Sequence, residues 1–140
     1  MLFRSPHRLR PHRQVLDALF KGLDAKRAVM SIDPMQLGFL TSALQSQIFN
    51  RVLSQRMQMG LLDQIVPGDL AWKHDNRAVF AVDQATADLE NSGAGRVKLL
   101  AVSPSGPMWG VKMTRAADQV ATWEREALLH EGLKIGRAHV

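Results

Sequence analysis

Arg8, Arg10 and Arg13 form the densest basic cluster in the chain, and Trp72 and Trp109 offer flat indole faces. Guanidinium groups bind phosphate oxygens as a planar fork. An indole either stacks on an unpaired base or packs into a core, and its residue type leaves both options open. Ser42, Ser46 and Asn50 recur every fourth residue, which on a helix makes one polar stripe. Such a stripe hydrogen-bonds a neighbouring backbone, here the loop of residues 106–110, or a sugar–phosphate chain. No catalytic constellation accompanies these groups: the sequence holds no Walker A run, no Gly-x-Ser-x-Gly and no His-Glu-x-x-His. With no cysteine and five scattered histidines, it offers no thiolate chemistry and no metal-ligand spacing. Ser92-Gly93-Ala94-Gly95 follows a helical pattern and precedes a strand pattern, the reverse of a phosphate cradle.

The elements that must carry these groups follow from hydrophobic periodicity. Residues 6–12, with two prolines and two arginines, read as an extended basic arm. A helix is predicted over 12–24 from Val15, Leu16, Leu19, Phe20 and Leu23, and a connector over 25–32. Asp33-Pro34 signals a helix start and Gly60 a stop, predicting a long helix over 33–59. Its broad apolar set, including Leu37, Phe39, Leu44, Ile48, Phe49 and Val52, predicts a central helix buried along most of its length. Gly38 inside it implies a close approach by a neighbouring element.

Pro67-Gly68-Asp69 is a turn signal. Residues 70–73 and 78–82 read as a hairpin, 83–91 as a short helix and 96–102 as a third strand. The run 103–110, with two prolines and two glycines, excludes a helix or a central strand. A last helix is predicted over 114–131, ended by Gly132. The fold class is mixed α/β, with helices packed on a small sheet in one domain.

The chain of 140 residues is 46% hydrophobic and carries a formal charge of +5. No apolar run reaches the ~20 residues of a membrane span. Residues 1–5 and 134–140 join no neighbouring periodicity. Back-translated with GTG as the start codon, the first segment yields an oligonucleotide whose reverse complement encodes Lys134 to Ala138 and opens His139. Both ends are therefore read as adapter translations, and residues 6–133 as the native insert, a piece of a longer protein. Without Arg4, Lys134 and Arg137, 15 basic residues face 13 acidic ones, a net +2. Net charge alone then gives no argument for RNA binding.

The segment from Leu40 to Leu53, with Ser42-Ala43, Ser46, Phe49-Asn50 and Arg56 beyond it, resembles the hallmark helix of the TruD family of tRNA pseudouridine synthases. Val66-Pro67-Gly68-Asp69 resembles that family's Gly-Asp turn, Val79-Phe80-Ala81-Val82 its following strand, and Gly106-Pro107 with Trp109-Gly110 its glycine–proline loop. Order and spacing agree over residues 38–133.

The resemblance implies an isomerase that converts a uridine of the tRNA D arm, at position thirteen, to pseudouridine without cofactor or metal. The family's catalytic aspartate, in a Gly-x-Lys-Asp context, lies N-terminal to the matched region. Lys73-His74-Asp75 stands outside that position and receives no catalytic role. The chain is thus expected to be an accessory RNA-cleft domain, inactive alone, in a monomeric cytoplasmic enzyme whose partner is tRNA. Arg8, Arg10, Arg13, Arg56 and Trp109 are the RNA-binding candidates. A helical protein-interaction module with no RNA role is the alternative.

Overall fold

A computed structural model describes residues 10–133. Its contacts group the chain into two compact units, Met1–Leu44 and Gln45–Val140. The elements are mixed α/β: five helices and one three-stranded antiparallel sheet among the described residues.

The first unit holds α1 (Arg10–Phe20), α2 (Ala25–Met30) and the start of α3 (Pro34–Gln58). The basic arm is shorter than expected, because Arg10, Pro11 and His12 already belong to α1. Proline is tolerated there because first-turn N–H groups lack helical acceptors in any case. Gly22 at φ +84° turns the chain out of α1. Residues 25–30 are a helix and not the expected connector. Asp24 caps it, its carboxylate accepting from the Arg27 N–H at 2.8 Å, and that bond offsets part of the cost of a six-residue helix. Pro11, Ala18, Ala28 and Ile32 are the buried apolar residues described in this unit.

Proline at the first position of α3 and Gly60 at φ +69° bound it where the sequence signals lie. Its burial differs from expectation. Only Ile48, Val52 and Arg56 are buried, one stripe at four-residue spacing, while Phe39 is 75% and Met57 59% exposed. Gly38 faces open space, so no neighbouring element approaches it. The broad apolar pattern was a statement about composition, and this structure supplies partners for one stripe of it.

The second unit is built on β1 (Leu70–Lys73), β2 (Val79–Ala81) and β3 (Val102–Pro104), in the order β2-β1-β3. Period-two alternation divides the sheet's faces. Ala71, paired with Phe80, and Val102, paired with Lys73, belong to a core completed by Ile65, Val82, Ala87 and Val97. Trp72, paired with Val79 and Ser103, faces the other way. The third strand is displaced from the predicted 96–102. The Glu90 carboxylate accepts from the Arg96 backbone and guanidinium at 2.6–3.1 Å, and Ala101 N–H donates to Arg96 O at 2.9 Å, which closes residues 96–101 into turns. Pro104 sits on an edge strand, where its missing N–H is harmless.

Helix α4 (Gln84–Asn91) is capped by Asp83, and α5 runs Asp118–His130. The expected start of α5 at Thr114 is four residues early. Ala117 N–H donates to Gly68 O at 2.9 Å, and the Gly68 Cα lies against the Ala117 carbonyl, so this stretch bonds to the turn and not to a helix. Gly68, at φ +94°, has neither the room nor the backbone conformation for a side chain.

Candidate functional site

The end of α3 is fastened to the turn before β1 by Arg56 and Asp69. Their side chains are 4% and 0% exposed, and the guanidinium donates to both Asp69 oxygens at 2.7 and 2.9 Å. Arg56 also donates to the carbonyls of Leu61 and Gln64, and Asp69 accepts from Val66 N–H at 2.8 Å. The guanidinium lies 5.8 Å from the Trp123 ring centre on α5. Such a pair is stabilising only because its lone pairs and protons are satisfied. Arg56 is therefore a tie between helix and turn. Its donors are directed into the protein and do not present a phosphate site, which removes it from the RNA-contact candidates.

About two turns up α3, the Phe49 ring rests on Gly106, where a side chain would overlap Phe49 Cε2. Gln45 Nε2 donates to Trp109 O at 2.5 Å. Ser105 completes the loop's attachment by donating, through Oγ at 2.6 Å, to Leu70 O on β1. Helix, outward sheet face and loop thus enclose an apolar cleft of about 600 Å³, lined by Phe49, Leu53, Trp72, Gly106, Met108 and Met113 among others. Pro107 is buried in the loop, and Gly110 is exposed.

The expected polar stripe does not make this attachment. Ser42, Ser46 and Asn50 are exposed, and Gln45 and Phe49 on the adjacent face of α3 hold the loop instead.

Behind the loop, Trp109 lies under the Arg115 guanidinium, 5.4 Å from ring centre to carbon. Its Nε1 is buried without an acceptor among the described residues. Beside it on α5, Glu124 is 6% exposed. Burial, and next the nearby Asp69 carboxylate, push the Glu124 carboxyl up to about 7. Sequence reasoning missed Glu124, although the signal was there: it occupies a position of the buried stripe Val120, Trp123, Ala127 and Leu128.

With motifs so far apart in sequence meeting through Arg56–Asp69, Phe49–Gly106 and Gln45–Trp109, comparison with known proteins decides the family. The family profile described as tRNA pseudouridine synthase D (TruD) matches residues 1–138. The chain belongs to the TruD family. It is 40% identical over 129 residues to a tRNA pseudouridine synthase D of Geobacter sulfurreducens, covering 91% of this chain and 30% of that protein. It is 38% identical over 96 residues to the synthase of Thermus thermophilus, covering 69% of this chain and 25% of that one. No solved structure matches the chain. The chain thus spans about 30% of the length of the curated TruD relatives that match it over most of its own length.

The remaining candidates of the TruD reading lie in the first unit. Arg10 and Arg13 are exposed on α1, three residues apart and so on neighbouring positions of one face. Arg13 Nε stands 4.0 Å from Asp17 Oδ2. Arg8 lies outside the described residues, as do the end segments read as adapter translations.

Proposed function

We propose that this chain is the accessory RNA-cleft part of a TruD-type tRNA pseudouridine synthase, residues 6–133 being the native insert. The observation that carries the reading is the convergence of the family's motifs on one assembly. On one helix, Phe49 packs on Gly106 of the loop and Arg56 pairs with Asp69 of the turn, contacts made by side-chain fit and not by sequence proximity. The intact enzyme isomerises uridine in the tRNA D arm, and this part contributes a wall of the binding cleft while the catalytic aspartate comes from the remainder. It acts as a monomer in the cytoplasm. No helix among the described residues is long and apolar enough to cross a membrane.

Arg8, Arg10 and Arg13 are proposed as phosphate contacts and the Trp109 region as a base contact. The 140-residue chain is expected to show no tritium release from uridine-labelled tRNA, while the full-length protein turns over. Turnover by the chain alone refutes the division of labour. Replacing the three arginines with alanine is expected to weaken tRNA retention on filters and flatten its salt dependence by up to about three phosphate contacts. Unchanged retention removes the arm from the interface.

A helical interaction module is the second reading, favoured by the exposure of Phe20, Met30, Met35 and Phe39 in the first unit. Retention of tRNA by the chain decides between them.

A further inference from the structure

The pocket behind the loop is small and built unlike the apolar cleft. It measures about 120 Å³ and is lined by Trp109, Arg115, Ala116, Ala121, Glu124 and Arg125. A buried apolar cavity of ~150 Å³ takes benzene, so this smaller pocket, open to solvent on one side, has room for no more than a single six-membered ring and none for a purine. Its polar groups are specific. The Trp109 indole is a donor only, buried and without an acceptor among the described residues. Glu124, more than nine-tenths buried, makes no side-chain hydrogen bond among those residues and borders the same space. The buried indole donor without a partner costs free energy, which an acceptor on a ligand offsets, and the Glu124 carboxyl at the pocket wall stands ready to accept from the same ligand edge. Arg115 and Arg125 are exposed beside them and add positive charge.

We propose that this pocket binds a single-ring nucleobase flipped out of its strand, a pyrimidine whose ring N–H or amino group donates to Glu124 while a neighbouring ring nitrogen or carbonyl accepts from Trp109 Nε1. The exposed arginines take the adjoining phosphate. The assignment rests on the RNA-cleft reading above and adds to it a base-sized site on α5 and its preceding loop. It differs from phosphate contact along α1, because its selectivity comes from size and edge chemistry.

The test uses the 140-residue chain, labelled with ¹⁵N, at pH 8 where the Glu124 carboxyl is ionised. Its three tryptophans give three indole N–H resonances, and W109F assigns the relevant one. Uridine 5′-monophosphate is expected to shift the Trp109 resonance saturably and leave those of Trp72 and Trp123 in place. Adenosine 5′-monophosphate is expected to bind at least about tenfold more weakly. E124Q, which keeps the shape, is expected to weaken uridine monophosphate about tenfold, the effect of losing one charged acceptor. Unmoved Trp72 and Trp123 resonances in that variant show that it folds.

Inorganic phosphate moving Trp109 as far as the nucleotide does overturns the proposal. So does equal response to the adenine nucleotide, no response of Trp109, or an unaffected E124Q. Filter retention of tRNA by the same chain separates the two readings. Retention with a still Trp109 resonance refutes the pocket alone, and a Trp109 response without retention supports the pocket while refuting the tRNA reading.

Discussion

Replacing Asp69 with asparagine tests the junction on which the family motifs converge. The carboxylate is fully buried and accepts from Arg56 at 2.7 and 2.9 Å and from Val66 N–H at 2.8 Å. An amide in its place presents an NH2 group toward donors, leaving the guanidinium buried with its charge uncompensated. Breaking one side of a buried pair costs about 3–5 kcal/mol. At ~3–5 °C per kcal/mol, between the values for smaller and larger domains, the melting temperature falls on the order of 10–25 °C. Removing both charges with Arg56→Met and Asp69→Leu strands no ion, so the double variant is expected to recover much of the loss. Urea melts followed by tryptophan fluorescence and circular dichroism give the three free energies. A cost below about 1 kcal/mol for Asp69→Asn, or a double variant as unstable as the sum of the two singles, refutes the pair as a coupled buried unit.

The loop gives a paired test: Gly106→Ala drives a methyl into the Phe49 ring and is expected to cost about 1–3 kcal/mol, while Gly110→Ala, whose nearest neighbour would stand at 3.8 Å, is expected to cost well under that; equal costs in urea melts would refute the loop contact. Glu124 sets a pH dependence. Its folded pKa of about 7 lies above the unfolded 4.5, so its contribution is full below pH 4.5 and is lost as pH rises through 7. Glu124→Gln is expected to stabilise the protein at pH 8 relative to pH 5 by roughly 1–2 kcal/mol after solvent screening, and an unchanged pH slope counts against it. Glu90 and Glu131, held below the usual carboxylate range chiefly by hydrogen bonds from Arg96 and Arg51, act in the opposite direction and lose their contribution as pH falls. Deleting residues 1–5 and 134–140 is expected to change stability by no more than about 0.5 kcal/mol in the same melts, and unfolding of the trimmed protein refutes the insert boundaries.

Locally punctuated features were legible in the sequence. Asp33-Pro34 and Gly60 bound α3, Asp83 caps α4, and the turn beginning at His74 joins β1 to β2 through residues 74–78, because caps and turns depend on a few adjacent residues. The elements that differ from the sequence pattern are those whose backbone partners are distant. Residues 96–101 have strand-like composition, yet the Glu90 carboxylate draws Arg96 into a turn, and Thr114 to Ala117 are helix-compatible, yet Ala117 bonds to Gly68. Helix α2 was missed for a different reason: six residues give too little periodicity to read, and the Asp24 cap was the available sign. Burial of α3 was overestimated because periodicity reports an apolar face and says nothing about which part of it finds a partner.

The same distinction governs the site. The residues that carried the resemblance, Phe49, Asp69 and Gly106 together with Arg56, are occupied in holding helix, turn and loop to one another. A motif spread over three elements is what a packing junction requires, since each contact constrains residues far apart in sequence. Groups available to a ligand are those that the fold buries without satisfying. Trp109 Nε1 meets that description, and the largely buried Glu124, which makes no side-chain hydrogen bond among the described residues, lines the same small pocket. Trp109 was legible as a candidate because an indole advertises stacking. Glu124 required knowing that its position on α5 faces inward, where a carboxyl has no solvation of its own. A charged residue inside an apolar helical stripe is therefore the feature from which a binding group in this chain is found, while the shared motifs locate the scaffold that holds it.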